Sequence, residues 1–188
     1  MPGGNQEPPR IAALLRGVNV GGRNKIPMAE LRGLAAELGF LDVATHLQSG
    51  NVVFRAPGTE PEQAATAIEA AIARRLGLNI AVLARSGQEL ERIVSAHPLA
   101  DVASNPSRML VVFLSEPIER ELVAQVQEEQ FSPDRFVAAG REIYVWAPNG
   151  VSETKLTYAF WEKHLGGVTA TARNWNTVQR LREMTQAA

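Results

Sequence analysis

Two short runs of the sequence hold the residue types best suited to chemistry. The first is Arg16 followed by Gly17-Val-Asn-Val-Gly-Gly-Arg-Asn-Lys25, and the second is Gln48-Ser-Gly-Asn51. Between them Arg16, Asn19, Gly21, Gly22, Arg23, Asn24, Lys25, Gln48, Ser49 and Asn51 offer cations, amides, a hydroxyl and flexible backbone, with no acid nearer than Glu30. Pro27 suits the first turn of a helix, whose free N–H groups and positive dipole end would point at the same place. Arginine grips an oxyanion bidentately, and backbone amides at a helix start favour negative charge. The chemistry implied is the binding of a small phosphorylated or carboxylated molecule. The competing reading is that the glycines only shape a turn and that Arg23 and Lys25 are simply solvated.

Two phosphate-binding fingerprints are excluded. Gly17 to Asn24 reads G-x-x-x-x-G-R-N, with Arg and Asn where a P-loop needs Lys and Ser or Thr. Asn19 occupies the second glycine position of G-x-G-x-x-G. A second group of candidates lies in Thr171-Ala-Arg-Asn-Trp-Asn-Thr177. Arg173 and Trp175 could stack on a planar group, with Asn174 or Thr171 capping the last helix. Alternatively, Trp175 packs that helix onto the body. Lys155, expected near a helix N-terminus, would oppose the dipole there, or is merely a solvated lysine.

The chain has no cysteine, so disulfides, thiolate nucleophiles and zinc-thiolate sites are excluded. His46, His97 and His164 lie far apart without ligand spacing, and neither a metal nor a cofactor is expected. No nucleophile–base pair or facing carboxylates emerge from the spacing, so the choice between enzyme and binding protein stays open.

The elements that position these residues follow from periodicity. The 188 residues are 45% hydrophobic and 21% charged, an ordinary globular composition, with net charge −1 and pI about 6.3. That balance argues against duplex-DNA binding, which needs a basic excess. No apolar run approaches a membrane span and no signal-type segment opens the chain, so a cytoplasmic location is expected. Residues 1–9 read as a disordered tail. Ile11 to Leu15 reads as a buried strand, and a helix follows Pro27 with Met28, Leu31, Leu34, Ala35 and Leu38 at helical spacing. Val43 to Leu47 and Asn51 to Phe54 are strands about a tight turn at Ser49-Gly50, a helix carries Ala64, Ala65, Ile68, Ala71, Ile72 and Leu76, and Asn79 to Ala84 is a fourth strand. This βαββαβ order is the ferredoxin-like, α-β plait signature.

The element order then repeats. Ser86-Gly-Gln-Glu89 is a capping box opening a connecting helix to about Ala96. Met109 to Leu114 is a strand, Pro117 opens a helix with Leu122, Val123 and Val126 inward, and Arg135 to Ala138 with Glu142 to Ala147 forms a hairpin. Ser152 caps a helix carrying Leu156, Ala159, Phe160 and Leu165. Val168 to Ala170 is a short strand before a last helix from about Asn174 to Met184. The expected class is α+β, with two ferredoxin-like halves at 10–85 and 108–188, a connecting helix and linker at 86–107, and an extra C-terminal helix. Strand order within the first half places Arg16 near Asn51, so both polar runs share one end of its sheet.

The runs Leu14-Leu-Arg-Gly-Val-Asn-Val-Gly-Gly-Arg-Asn-Lys-Ile-Pro-Met-Ala-Glu-Leu31, Leu47-Gln-Ser-Gly-Asn-Val-Val-Phe54 and Arg173-Asn-Trp-Asn-Thr-Val178 closely resemble the bacterial domain-of-unknown-function family 1697. The resemblance covers nearly the whole chain after the tail. It implies a fold of two α-β plaits and no established reaction, substrate or catalytic residue. The family's characteristic segments fall at Leu15 to Lys25, Gln48 to Phe54, Lys155-Leu-Thr157 and Arg173 to Val178. One departure is His97-Pro98-Leu99, where members tend to read Asn-Pro-Phe; another is Thr-Ala-Thr-Ala ahead of Arg173 in place of a Thr-Thr run.

Three functions are compatible with these residues. The first is binding, or an enzymatic reaction, of a small anionic molecule at the end of the first sheet. The second is single-stranded nucleic-acid binding on an open plait sheet, for which Phe54 is the one aromatic on the central strands. The third is a structural or homodimerising module without a ligand.

Overall fold

A computed structural model describes residues 8–186. The expected tail at 1–9 therefore lies, for its first seven residues, outside the described residues. The chain divides into two compact units. One holds the described residues up to Glu89 together with those from Glu183 onward, and the other is Leu90–Arg182.

In the first unit the apolar run Arg10–Leu15 forms β1, with every residue after Arg10 buried. It pairs antiparallel with β3 (Asn51–Arg55) on one side and β4 (Val82–Ser86) on the other, and β2 (Leu41–His46) adds to β3. The sheet order is β2-β3-β1-β4. Side chains alternate across a strand, so Ile11, Ala13, Leu15, Val52, Phe54, Val82 and Ala84 share one core with the helices. Helix α1 (Met28–Glu37) contributes Met28, Leu31, Leu34 and Ala35, the expected face, and ends before Gly39 at φ +82°. Helix α2 (Pro61–Leu76) contributes Ala64, Ala65, Ile68, Ala71 and Ile72, and stops at Gly77 in the left-handed region. Phe40 stacks on Phe54 at 4.4 Å in this core.

The fourth strand differs from expectation. Residues 79–81 are outside the ladder, because β1 ends at Leu15 and its partner there is Val82. The Val82 N–H donates instead to Glu69 Oε1 at 2.7 Å. Helix α3 (Gly87–Ala96) opens on the expected reciprocal box: the Ser86 N–H donates to Glu89 Oε2 at 2.8 Å and the Glu89 N–H to Ser86 Oγ at 3.2 Å.

The second unit repeats the topology. Central β5 (Met109–Leu114) lies between β7 (Glu142–Trp146) and β8 (Ala170–Asn174), with β6 (Arg135–Ala139) on β7, giving the order β6-β7-β5-β8. Val112, Leu114, Ile143, Val145, Leu156, Trp161, Leu165 and Ala170 form its core. The architecture is α+β, two tandem ferredoxin-like halves plus a C-terminal helix, α6 (Trp175–Gln186).

Three boundaries in this half move. Helix α4 is only Arg120–Ala124, because the Gln125 and Val126 N–H groups bond back to Leu122 and Val123, tightening the last turn. Helix α5 (Tyr158–His164) starts later than Ser152. Its cap is Thr157, which accepts the Phe160 N–H at 3.2 Å, while Thr154 Oγ1 holds the Leu156 N–H at 3.1 Å in a non-helical turn. The last strand is Ala170–Asn174 rather than Val168 to Ala170, since β5 from Leu114 to Leu110 is available to pair with it.

Candidate functional site at the end of the first sheet

Both polar runs meet at one end of the sheet. Leu14 pairs with Asn51, and the Leu15 N–H donates to Gly50 O at 2.8 Å. The Arg16 N–H donates to Ala81 O at 2.9 Å, fixing where the loop leaves the strand. Val20-Gly-Gly-Arg23 folds into a two-residue hairpin, with Gly21 at φ +58°, Gly22 at φ +75° and the Arg23 N–H donating to Val20 O at 3.1 Å. Two successive positive φ values are the signature of a type I′ turn, which explains the paired glycines.

The amides that could have recognised a ligand are engaged in building the loops. Asn19, at φ +56°, donates to Ile26 O at 2.9 Å and to Gln48 O at 2.6 Å, and accepts the Ile26 N–H at 2.9 Å. It thereby closes the first loop and ties it to the second. Asn24, at φ +48°, donates to Gly17 O at 3.2 Å, and its carbonyl receives the Asn19 N–H. Asn51 is fully buried and donates to His46 O and Ser49 Oγ, both at 2.9 Å. Asparagine tolerates the left-handed region and bonds local backbone, so these roles fit its chemistry. Gly50, at φ +75°, has no room for a side chain: a Cβ would stand 2.5 Å from Val18 Cγ2 and 2.7 Å from Leu15 Cβ.

Arg23, Lys25 and the Gln48 side chain remain exposed, and Arg16 is half-buried. Helix α1 begins beside them with Pro27 as its N-cap and no side-chain cap bond; its first-turn acid, Glu30, pairs with Arg75 at 2.8 Å. Val20 at 65% and Leu47 at 58% exposure project from the two adjoining loops. Leu47 sits at φ +57°, an uncommon conformation for a bulky residue. These two apolar residues were not singled out by the sequence reading. The signal that marks them is a large apolar side chain inside an otherwise polar loop.

The sequence profile of the family described as "Protein of unknown function (DUF1697)" matches residues 9–144. The chain belongs to the DUF1697 family. It is similar in fold to a solved structure described as that of the conserved bacterial protein SP0830 from Streptococcus pneumoniae, with a TM-score of 0.73 and 24% identity over 95% of this chain and 99% of that one. No curated protein matches the sequence.

In this DUF1697 chain the second group of candidates is dispersed. Arg173 lies on β8 and is buried, with Nη1 donating to Thr171 Oγ1 at 2.8 Å and Ala172 O at 2.9 Å. Burial pulls its guanidinium down to about 10, against an opposing contribution from Tyr158, so it stays cationic at neutral pH. Trp175 is 3% exposed, with His97 at 4.5 Å and Tyr144 at 6.4 Å between ring centres, so it packs the terminal helix onto its unit. Asn174 accepts the Asn176 N–H at 3.0 Å and caps that helix, whereas Thr171 is a buried strand residue. Lys155 is exposed in the loop ahead of α5 rather than in a helical first turn.

Phe54 points into the helix-side core and stacks on Phe40, so it offers no surface to a nucleobase. Among the described residues no group of three or more His, Asp or Glu side chains comes together to hold a metal ion, and no helix is long and apolar enough to cross a membrane.

Proposed function

We propose that this protein binds a small anionic molecule, phosphorylated or carboxylated, at the end of the first sheet, in the cytoplasm of a bacterium. Arg23 and Lys25 are the exposed cations of the loop, half-buried Arg16 opens it, and the first turn of α1 supplies N–H groups and the positive end of its dipole. Asn19, Asn24 and Asn51 hold the loops and do not touch the ligand. The observation that carries this reading is the acid-free loop with its amides internally bonded and its cations facing outward beside a helix lacking a side-chain cap. Val20 and Leu47 suit a ligand with an apolar part next to its anionic group.

A thermal-shift screen with inorganic phosphate, nucleoside monophosphates and small di- and tricarboxylates tests this. At least one anion should raise the unfolding temperature of the wild type and do so less in an Arg23→Ala, Lys25→Ala double variant. Equal shifts in both proteins, or none in either, refute it. Both side chains are exposed, so the double variant should fold as the wild type does.

A further inference from the structure

We propose that a cleft in the second unit binds a small zwitterion, seating its ammonium group on Asp134 and its carboxylate on Lys155. The cleft has a volume of about 150 Å³ and lies between the turn at residues 130–134 and the loop at 149–155. Asp134, Lys155, Glu153, Asn149, Gln130 and Phe131 line it.

Asp134 is the residue that makes this a site rather than a surface dent. It is 9% exposed, and its main-chain N–H donates to Phe131 O at 2.9 Å. Among the described residues its carboxylate accepts no hydrogen bond and pairs with no cation. On a residue this buried, a carboxylate with no donor from the protein is open to a donor or a cation that enters the cleft. Lys155 lines the same space, is exposed, and forms no ion pair with either Asp134 or Glu153. Two opposite charges thus border one cleft without meeting, an arrangement satisfied by a molecule that carries both signs. The lining has two carboxylates against one lysine, so a simple anion is disfavoured here, in contrast to the acid-free loop of the first unit. Glu153 Oε1 accepts the Ser152 hydroxyl at 3.3 Å and stands as a second acceptor for an ammonium group. Asn149 and Gln130 bring amides, and Phe131 offers an apolar wall for methylene groups. With a single water needing about 10–15 Å³ of such space, the cleft takes on the order of ten water-sized groups, enough for a free amino acid.

The experiment is an amide chemical-shift titration of the full chain with glycine, β-alanine, γ-aminobutyrate, 5-aminopentanoate, L-aspartate and L-lysine, with n-butylamine and butyrate as single-charge controls. At least one zwitterion should saturate shifts at Asp134, Asn149 and Lys155. The controls should bind at least about tenfold more weakly, the loss expected for one charge-assisted contact. Asp134→Asn and Lys155→Gln should each weaken that zwitterion by at least about tenfold. Because Lys155 is exposed, the Lys155→Gln variant should keep the wild-type unfolding midpoint, so its loss of binding reads the contact and not the fold. Absence of saturating shifts at these residues overturns the proposal. So does binding that n-butylamine or butyrate matches, or that survives Lys155→Gln unchanged. None of these outcomes bears on the anion site of the first unit, whose screen is read through Arg23 and Lys25.

Discussion

Gly50 sits where β3 begins and where both loops of the first sheet's end converge. Replacing it with alanine imposes two costs. One is conformational, since φ is +75° and an alanine there is disfavoured by about 1–2 kcal/mol. The other is steric, since the new Cβ would stand 2.5 Å from Val18 Cγ2 and 2.7 Å from Leu15 Cβ. Val18 is buried and β-branched, and Leu15 lies on the central strand, so neither neighbour is the free end of a flexible side chain. Overpacking of this kind costs about 1–3 kcal/mol. Gly22 is the matched control: it shares φ +75° but has nothing within 4 Å of the added Cβ. The conformational cost therefore cancels between the two variants, and Gly50→Ala should be less stable than Gly22→Ala by about 1–3 kcal/mol. Urea unfolding followed by far-ultraviolet circular dichroism is the appropriate assay, because Trp146, Trp161 and Trp175 all lie in the second unit and fluorescence would miss the first. With a slope of about 2 kcal/mol/M, the midpoints should separate by about 0.5–1.5 M. Coincident midpoints would refute the close approach of the loop and the turn on which the site depends.

Asn19→Ala should destabilise the first unit by about 2–4 kcal/mol in the same assay, because the N–H and carbonyl of fully buried Ile26 both lose their partner. Asn19→Gly should fall as far, since its easier φ does not restore those bonds; recovery to wild-type stability would refute the bonding role. His97 packs on Trp175 with Nδ1 buried and without a partner among the described residues, and burial lowers its pKa below the ordinary 6.5. A cation disfavoured by the fold binds fewer protons folded than unfolded, so its contribution is full above pH 6.5 and is lost as the pH falls below that value. The unfolding midpoint should decline on acidification, and less steeply in His97→Gln. An imidazole titration by nuclear magnetic resonance that placed His97 at or above 6.5 would contradict this.

Much of this protein can be read from the sequence because it is written locally. The capping box at Ser86 and Glu89 joins residues three apart, and the buried faces of α1 and α2 follow from helical spacing. The βαββαβ order, met twice, places Arg16 to Lys25 beside Gln48 to Asn51, since strand order alone brings those ends together. Tertiary structure decided which polar groups remain available. Asn19 reaches Gln48 across 29 residues, and no local pattern reveals that its amide is already engaged. Arg173 and Trp175 sit in a polar run yet are buried, because β8 pairs with Leu110 to Leu114 of β5 and Trp175 packs against His97 and Tyr144. Asp134 is a charged residue after Ser132-Pro133, yet folding leaves it 9% exposed in the wall of a cleft. Residue type and spacing determine which elements form and in what order. The exposure and pairing of a polar side chain depend on segments distant in sequence, and only their packing sets which groups can meet a ligand.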